Sequence, residues 1–336
     1  MTPREVSAQE LTSPDAFVRE VAERCRPVVI RGLVSSWPAV LAARGAPSQF
    51  KDYLLRFDAG SQAEAFIGEP GIAGKYYYSD DLQTFNFERA RMRFADALDR
   101  IVSSSGRAGE RSMYVGSLPT EQYLPGFAAE NALSIVKAGV MPRIWLGHAS
   151  NVSAHYDTMD NIACVVAGER RFTLFAPETI DRLYVGPLDH TMAGQPVSLA
   201  ASAPVDDERY PLFREVREQA LVAELRAGDA IYLPKLWWHQ VEAISAFNVL
   251  VNYWWDAFSA GPDAPSIALL LSMITIAERP PAERQAWKAF FDHFAFRSNG
   301  HPLAHLPASQ HGVLGPLKPD NYGKIRAHIM QALRRG

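Results

Sequence analysis

Residues 151–177 read NVSAHYDTMDNIACVVAGERRFTLFAP. The stretch has the alternation and the Gly-centred break of two β-strands joined by a turn at Gly168. Two features do not suit ordinary strands. His155 and Asp157 stand two apart where apolar residues are preferred, and the return strand opens on Arg170 and Arg171. Residues i and i+2 of a strand share a face, so His155 and Asp157 project together, with Tyr156 opposite. The same alternation sends Arg170 and Arg171 to opposite faces, so only one of them points inward.

One imidazole and one carboxylate make half a metal site. The third ligand must come from a distant strand. The best candidate is His239 in GDAIYLPKLWWHQVEAI, residues 228–244. Gly228–Asp229 reads as a turn, AIYLP as a strand, and His239 as the start of the next strand after the loop KLWW. Two histidines and one carboxylate on one edge, with other positions open, suit a non-haem Fe(II) that must also bind a co-substrate and oxygen. Taken singly, His-x-Asp is an ordinary surface pair, and a histidine in an aromatic strand is an ordinary core residue. Their order along one β-rich chain favours the metal. His148, His190, His293, His301, His305 and His311 lack an accompanying carboxylate pattern and are not expected to be ligands.

The surrounding chain is β-rich. SMYVGSL, RIWLGH, NIACVVAG and FNVLVNYWW are short strands with Gly and Pro punctuation, which predicts a sandwich or barrel rather than alternating βαβ units. Helical spacing appears at 14–25, from Pro47, from Arg91, and again from about residue 265 to the end. The fold class is therefore mainly β with flanking helices. The chain is expected to divide into a catalytic domain over 1–260 and a helical C-terminal segment over 261–336. The segment KYYYSDDLQTFNF, 75–87, reads as strand and loop and is placed at a substrate mouth. Trp237, Trp238, Trp254 and Trp255 are candidates for a dry wall, with core packing as the alternative.

Composition excludes some classes. Of 336 residues, 48% are hydrophobic and 21% charged, with net charge −3, so no basic stripe invites nucleic acid. Two cysteines, Cys25 and Cys164, lie far apart and point to a reducing, cytoplasmic setting. No apolar leader opens the chain. The run IALLLSMITIA, 267–277, is too short to cross a bilayer and is expected to be the buried face of a helix, so no membrane is expected.

At His155, Asp157 and His239 the sequence resembles the JmjC-type hydroxylases of the cupin superfamily. These are Fe(II)- and 2-oxoglutarate-dependent dioxygenases built on a double-stranded β-helix (jelly-roll/cupin) core. It looks most like the group holding the asparaginyl hydroxylase that inhibits hypoxia-inducible factor, and its bacterial cupin-like relatives. The resemblance runs from RPVVIRGLVSSWPAV, 26–40, through AHYDTMDNIACVVAGERRFTLFAP and VDDERYPLFREV, to AGDAIYLPKLWWHQVEAI and VNYWW. It implies iron on His155, Asp157 and His239. It places Arg170, fifteen residues after His155, on the family's cation for the distal carboxylate of 2-oxoglutarate, where close relatives carry lysine. Tyr114 falls on a tyrosine that binds the same carboxylate, and Asn161 and Asn252 on two asparagines near the co-substrate. Val152 stands where close relatives carry a threonine, and its neighbour Ser153 points to the other face. The resemblance implies hydroxylation of a C–H bond in a protein side chain or small molecule, and a homodimer through the C-terminal helices. The alternative is a metal-binding cupin that holds a sugar or other small molecule without 2-oxoglutarate chemistry, for which a buried arginine has no use.

Overall fold

The computed structural model describes residues 1–79, 81–192, 194–202, 205–258, 261 and 263–334. Two compact units divide the chain, Met1–Ala257 and Phe258–Gly336. The boundary expected at 260/261 falls beside Ser259, Ala260 and Pro262, which lie outside the described residues.

Among the described residues the first unit carries fourteen strands in two sheets. They are β1 (Arg4–Ser7), β2 (Val28–Arg31), β3 (Gln62–Gly68), β4 (Lys75–Tyr76), β5 (Glu88–Arg93), β6 (Ser112–Pro119), β7 (Pro142–Gly147), β8 (Ser150–His155), β9 (Asp160–Ala167), β10 (Glu169–Phe175), β11 (Leu221–Arg226), β12 (Ala230–Leu233), β13 (Trp238–Ala243) and β14 (Asn248–Trp255). The larger sheet runs β1-β2-β12-β9-β14-β7-β6-β3-β5 and the smaller β11-β10-β13-β8-β4. β1–β2 and β4–β8 are parallel; the other described pairs are antiparallel. This is the expected cupin architecture.

Side-chain parity sorts the core into layers. Every residue of β9, DNIACVVA, is buried, as a central strand covered on both faces requires. Ile162, Cys164 and Val166 face a cluster with Phe17, Tyr232 and Leu98. Ala163 and Val165 face the other way, into a cluster with Phe172, Leu174 and Val241 from the smaller sheet. Beyond that sheet, Phe175, Trp238 and Ala154 pack on Phe213 and Val216 of the helix Phe213–Gln219. Gly168 turns β9 into β10 at φ +76°, and a Cβ there would come within 2.7 Å of the Phe247 carbonyl oxygen, so only glycine closes this hairpin without strain.

The helix expected from Arg91 begins later, at Phe94, and runs to Ser104. Residues 91–93 instead finish β5, paired to β3. From Phe94 on, Phe94, Ala97, Leu98 and Ile101 are buried, the i, i+3, i+4, i+7 stripe of an amphipathic helix. Helix Pro14–Glu20 starts where Ser13 Oγ accepts the Ala16 amide and Pro14 fills the first turn.

The second unit holds helices Pro265–Ile276, Pro281–Phe294 and Pro319–Leu333. Here the expectation for 267–277 is corrected: no residue of Pro265–Ile276 is buried, and Ile274 is 80% exposed. Its apolar residues lie all round the helix. No helix among the described residues is long and apolar enough to cross a membrane.

Candidate metal centre and its cavity

His155 ends β8 and His239 lies in β13, directly opposite it in the ladder. Their ring centroids are 4.4 Å apart. Asp157 follows β8 by two residues, and its Oδ2 lies 3.8 Å from His239 Nε2. One ligating atom from each of the three lies within 4.8 Å of the others, and they are the only such group of three or more among the described residues.

The backbone sets the imidazole tautomers. His155 Nδ1 lies 2.8 Å from the Ser153 carbonyl oxygen, and His239 Nδ1 lies 2.9 Å from that of Trp237. A carbonyl only accepts, so each Nδ1 carries the proton and donates it. Both Nε2 atoms are left with lone pairs for a cation. Burial pushes the His239 pKa down to about 4; His155 adds to this, and Asp157 and the Trp237 carbonyl oppose it. A neutral imidazole is the ligating form, so His239 meets a divalent cation without first losing a proton near neutral pH, and two imidazoles with one carboxylate are a donor set that fits iron.

Two devices hold the triad in place. The loop into β13 turns back at Leu236, which has φ +68°, and the Leu236 amide donates to the Asp157 carbonyl oxygen at 2.8 Å. Asp160, wholly buried, accepts from Tyr232 Oη at 2.8 Å and from the Ala257 amide at 3.0 Å, with Lys235 Nζ at 3.3 Å. It thereby ties the start of β9 to β12, to the loop carrying His239, and to the end of β14. Sequence reasoning passed over Asp160; the available signal was a carboxylate opening an otherwise apolar strand.

A cavity of about 360 Å³ opens on the triad. All seven residues singled out from the sequence line it: His155, Asp157, His239, Arg170, Tyr114, Asn161 and Asn252. Arg170 is 7% exposed, and its side chain has no hydrogen bond or ion pair among the described residues, with Nε buried and unpartnered. Burial pushes its pKa down to about 10, which still leaves it cationic at neutral pH. Arg171 points outward to Glu224 and Glu242, as strand alternation requires. Asn252 Nδ2 donates to Asn161 Oδ1 at 2.9 Å, and Asn161 Nδ2 reaches Asp157 Oδ2 at 3.4 Å, so an amide chain leads to the ligand carboxylate. Tyr114 stacks on Phe66 and meets Tyr76 edge-on. Burial first, then Tyr76, raises its phenol pKa, with Arg89 lowering and Glu64 raising it.

Val152 also lines the cavity, although it is three residues from His155. A bulge in β8 explains this: His239 pairs with His155 and Val241 with Val152, so two residues advance on one strand against three on the other. Ser153, expected on the opposite face, is corrected by the same bulge: it too lines the cavity, with its buried Oγ donating to the Tyr76 carbonyl oxygen at 3.1 Å.

Of the four candidate wall tryptophans, only Trp254 lines the cavity. Trp237 donates from Nε1 to the Cys25 carbonyl oxygen, Trp238 packs on Tyr156, and Trp255 packs by Phe17 and Tyr232. Trp145, which sequence reasoning did not single out, is the second indole of the wall. From the segment 75–87, Tyr76 and Phe87 line the cavity, while Asp80 lies outside the described residues.

Comparison with known proteins agrees with this geometry. Residues 14–261 match the family described as "Cupin-like domain". Jumonji C domain-containing protein 5 of Drosophila melanogaster is 28% identical over 258 residues, covering 73% of this chain and 58% of that protein, less than two thirds of its length. The human bifunctional peptidase and (3S)-lysyl hydroxylase JMJD7 is 28% identical over 276 residues, covering 73% of this chain and 81% of that protein. The mouse tRNA wybutosine-synthesizing protein 5 is 36% identical over 101 residues, covering 30% and 29%.

Proposed function

The chain belongs to the cupin-like domain family, and from that premise we propose that it is an Fe(II)- and 2-oxoglutarate-dependent oxygenase that hydroxylates a C–H bond. One observation carries the reading: the metal triad and an unpaired, buried Arg170 line a single cavity. A buried cation without a counter-charge is costly, and a guest dicarboxylate supplies the missing partner. A cupin that held only a metal and a sugar would not need it. The similarity to the human (3S)-lysyl hydroxylase JMJD7 and to Jumonji C domain-containing protein 5 supports the same chemistry.

In this reading His155 and His239 bind iron through Nε2, and Asp157 through a carboxylate oxygen. Arg170 would pair with a carboxylate of 2-oxoglutarate, for which its guanidinium fork is suited. Tyr114, Asn161 and Asn252 line the same cavity and would offer it further hydrogen bonds. Bound iron with 2-oxoglutarate and oxygen supplies the oxidising power; the chain binds, orients and excludes water. The prime substrate is a protein side chain or a small molecule. JMJD7 is named for lysyl hydroxylation and the mouse relative for wybutosine synthesis, so the fold serves different substrates.

The exposed apolar residues of helix Pro265–Ile276 support a homodimer through the C-terminal helices. Two free cysteines support a cytoplasmic setting. The deciding experiment is anaerobic Fe(II) titration with 2-oxoglutarate. The visible charge-transfer band of the chelate should develop in the native protein and vanish in His155→Ala. A folded native protein that gives no band sinks the oxygenase reading.

A further inference from the structure

Among the described residues lining the cavity, Asp157 is the only acid, Arg170 the only lysine or arginine, and His155 and His239 the only histidines. All four are committed to the metal and the co-substrate. The remaining wall is apolar or neutral, with Tyr76, Phe87, Met159, Met192, Leu250 and Trp254 prominent. A third guest therefore meets no formal charge of its own. Asp157 and the two carboxylates of 2-oxoglutarate balance Arg170 and a divalent ion, so an ammonium or guanidinium entering here would leave water with no free carboxylate to offset the loss. A carboxylate would compete for Arg170.

One corner of this wall is held under strain. A Cβ on Gly116 would lie 2.3 Å from Trp145 Cε3, so the indole lies flat against the backbone where only glycine leaves room. The next residue, Ser117, has φ +57° inside the β6 bulge, a left-handed conformation that non-glycine residues rarely adopt. Arg143 fixes it, donating Nε to Ser117 Oγ at 2.8 Å and Nη2 to the Ser117 carbonyl oxygen at 2.8 Å. The same guanidinium lies over Trp254 at 5.7 Å. Trp145 and Trp254 meet at 84° with centroids 6.2 Å apart. Strained backbone of this kind persists where the surroundings over-determine it, often beside functional cavities.

We propose that the prime substrate presents an uncharged group to the metal, and that the right-angled corner of Trp145 and Trp254, seated by Gly116 and Ser117, limits its bulk. This rests on the metal and co-substrate assignments above.

The test uses the full chain loaded with Zn(II) in place of iron and saturated with 2-oxoglutarate. Saturation-transfer NMR follows butyramide, n-butylamine and the bulkier indole-3-acetamide. Butyramide should bind at least about tenfold more tightly than butylammonium at neutral pH. Indole-3-acetamide should bind only after Trp145→Ala, or after Trp145→Leu if the alanine variant misfolds. Gly116→Ala should shift the indole emission while 2-oxoglutarate binding survives. Butylammonium binding as well as butyramide, neutral probes failing to bind in the millimolar range, or an unchanged size limit in the Trp145 variants each overturn the proposal. Calorimetry of 2-oxoglutarate binding comes first. Its failure sinks the oxygenase reading by itself, and the charge preference is then read on protein loaded with metal alone.

Discussion

His239 stands directly across the β8–β13 ladder from His155, with the two rings 4.4 Å apart and both Nδ1 atoms turned to backbone carbonyls. This pairing brings together two candidate metal ligands 84 positions apart in sequence. Removing either ring leaves two ligands. His155→Ala or His239→Ala should therefore weaken Fe(II) binding by well over about 100-fold, since losing even an outer hydrogen-bond partner of a metal ligand costs 10–100-fold. Anaerobic Fe(II) titration measures it, and near-native affinity in either variant would remove these residues from the metal site.

Arg170 gives a prediction with two opposite signs. Its buried, unpaired cation destabilises the ligand-free fold. Arg170→Met should raise stability without ligand by about 1–3 kcal/mol, read from denaturant midpoints. The same change should weaken 2-oxoglutarate binding by about 10–100-fold, because charge-assisted hydrogen bonds are lost. Arg170→Lys should recover part of that affinity. A variant that loses stability while keeping 2-oxoglutarate would show that Arg170 serves the core instead.

Metal-free protein should lose stability as pH falls from about 6.5 towards about 4, because burial pushes His239 down to about 4. In that window the unfolded chain binds more protons at this site than the folded one, so acid favours unfolding. His239→Gln should flatten this part of the profile in urea titrations across pH. An unchanged slope would assign the acid sensitivity elsewhere.

Asp160 should matter for stability beyond its size. Its carboxylate is buried and holds Tyr232, the Ala257 amide and Lys235. Asp160→Ala should cost about 1–3 kcal/mol, the range for leaving buried donors such as the Tyr232 hydroxyl without an acceptor. Asp160→Asn should cost less, since an amide still accepts. Thermal or denaturant unfolding decides it, and a neutral Asp160→Ala would contradict the role given to this network.

On the proposed dimer, Ile274→Asp should shift sedimentation velocity from dimer to monomer without changing 2-oxoglutarate binding. A native chain that already sediments as a monomer refutes the dimer.

Much of this was legible in one dimension. Alternation put His155 with Asp157, and split Arg170 from Arg171, because a strand repeats every two residues. The run NIACVVAG read as a strand, but its central place and its burial on both faces came from the structure. Other features depended on residues far apart. Parity could not place Val152 beside His155, because the β8 bulge adds a residue that no spacing rule shows. Trp237, Trp238 and Trp255 read like Trp254, yet three pack in cores and one lines the cavity. Trp145 was invisible because its place depends on Gly116, 29 residues earlier, leaving room for its ring.

The sequence by itself determined the class of fold and singled out His155, Asp157 and His239 as a candidate ligand set, from local period and from the chemistry of each side chain. Period alone left one of Arg170 and Arg171 pointing inward; the family resemblance chose Arg170. Only the tertiary structure decided which groups are buried without partners, which indoles form a wall, and that Asp160 braces the loop bearing His239. Burial, strain and electrostatic isolation are properties of neighbours, and neighbours are set by packing rather than by order along the chain.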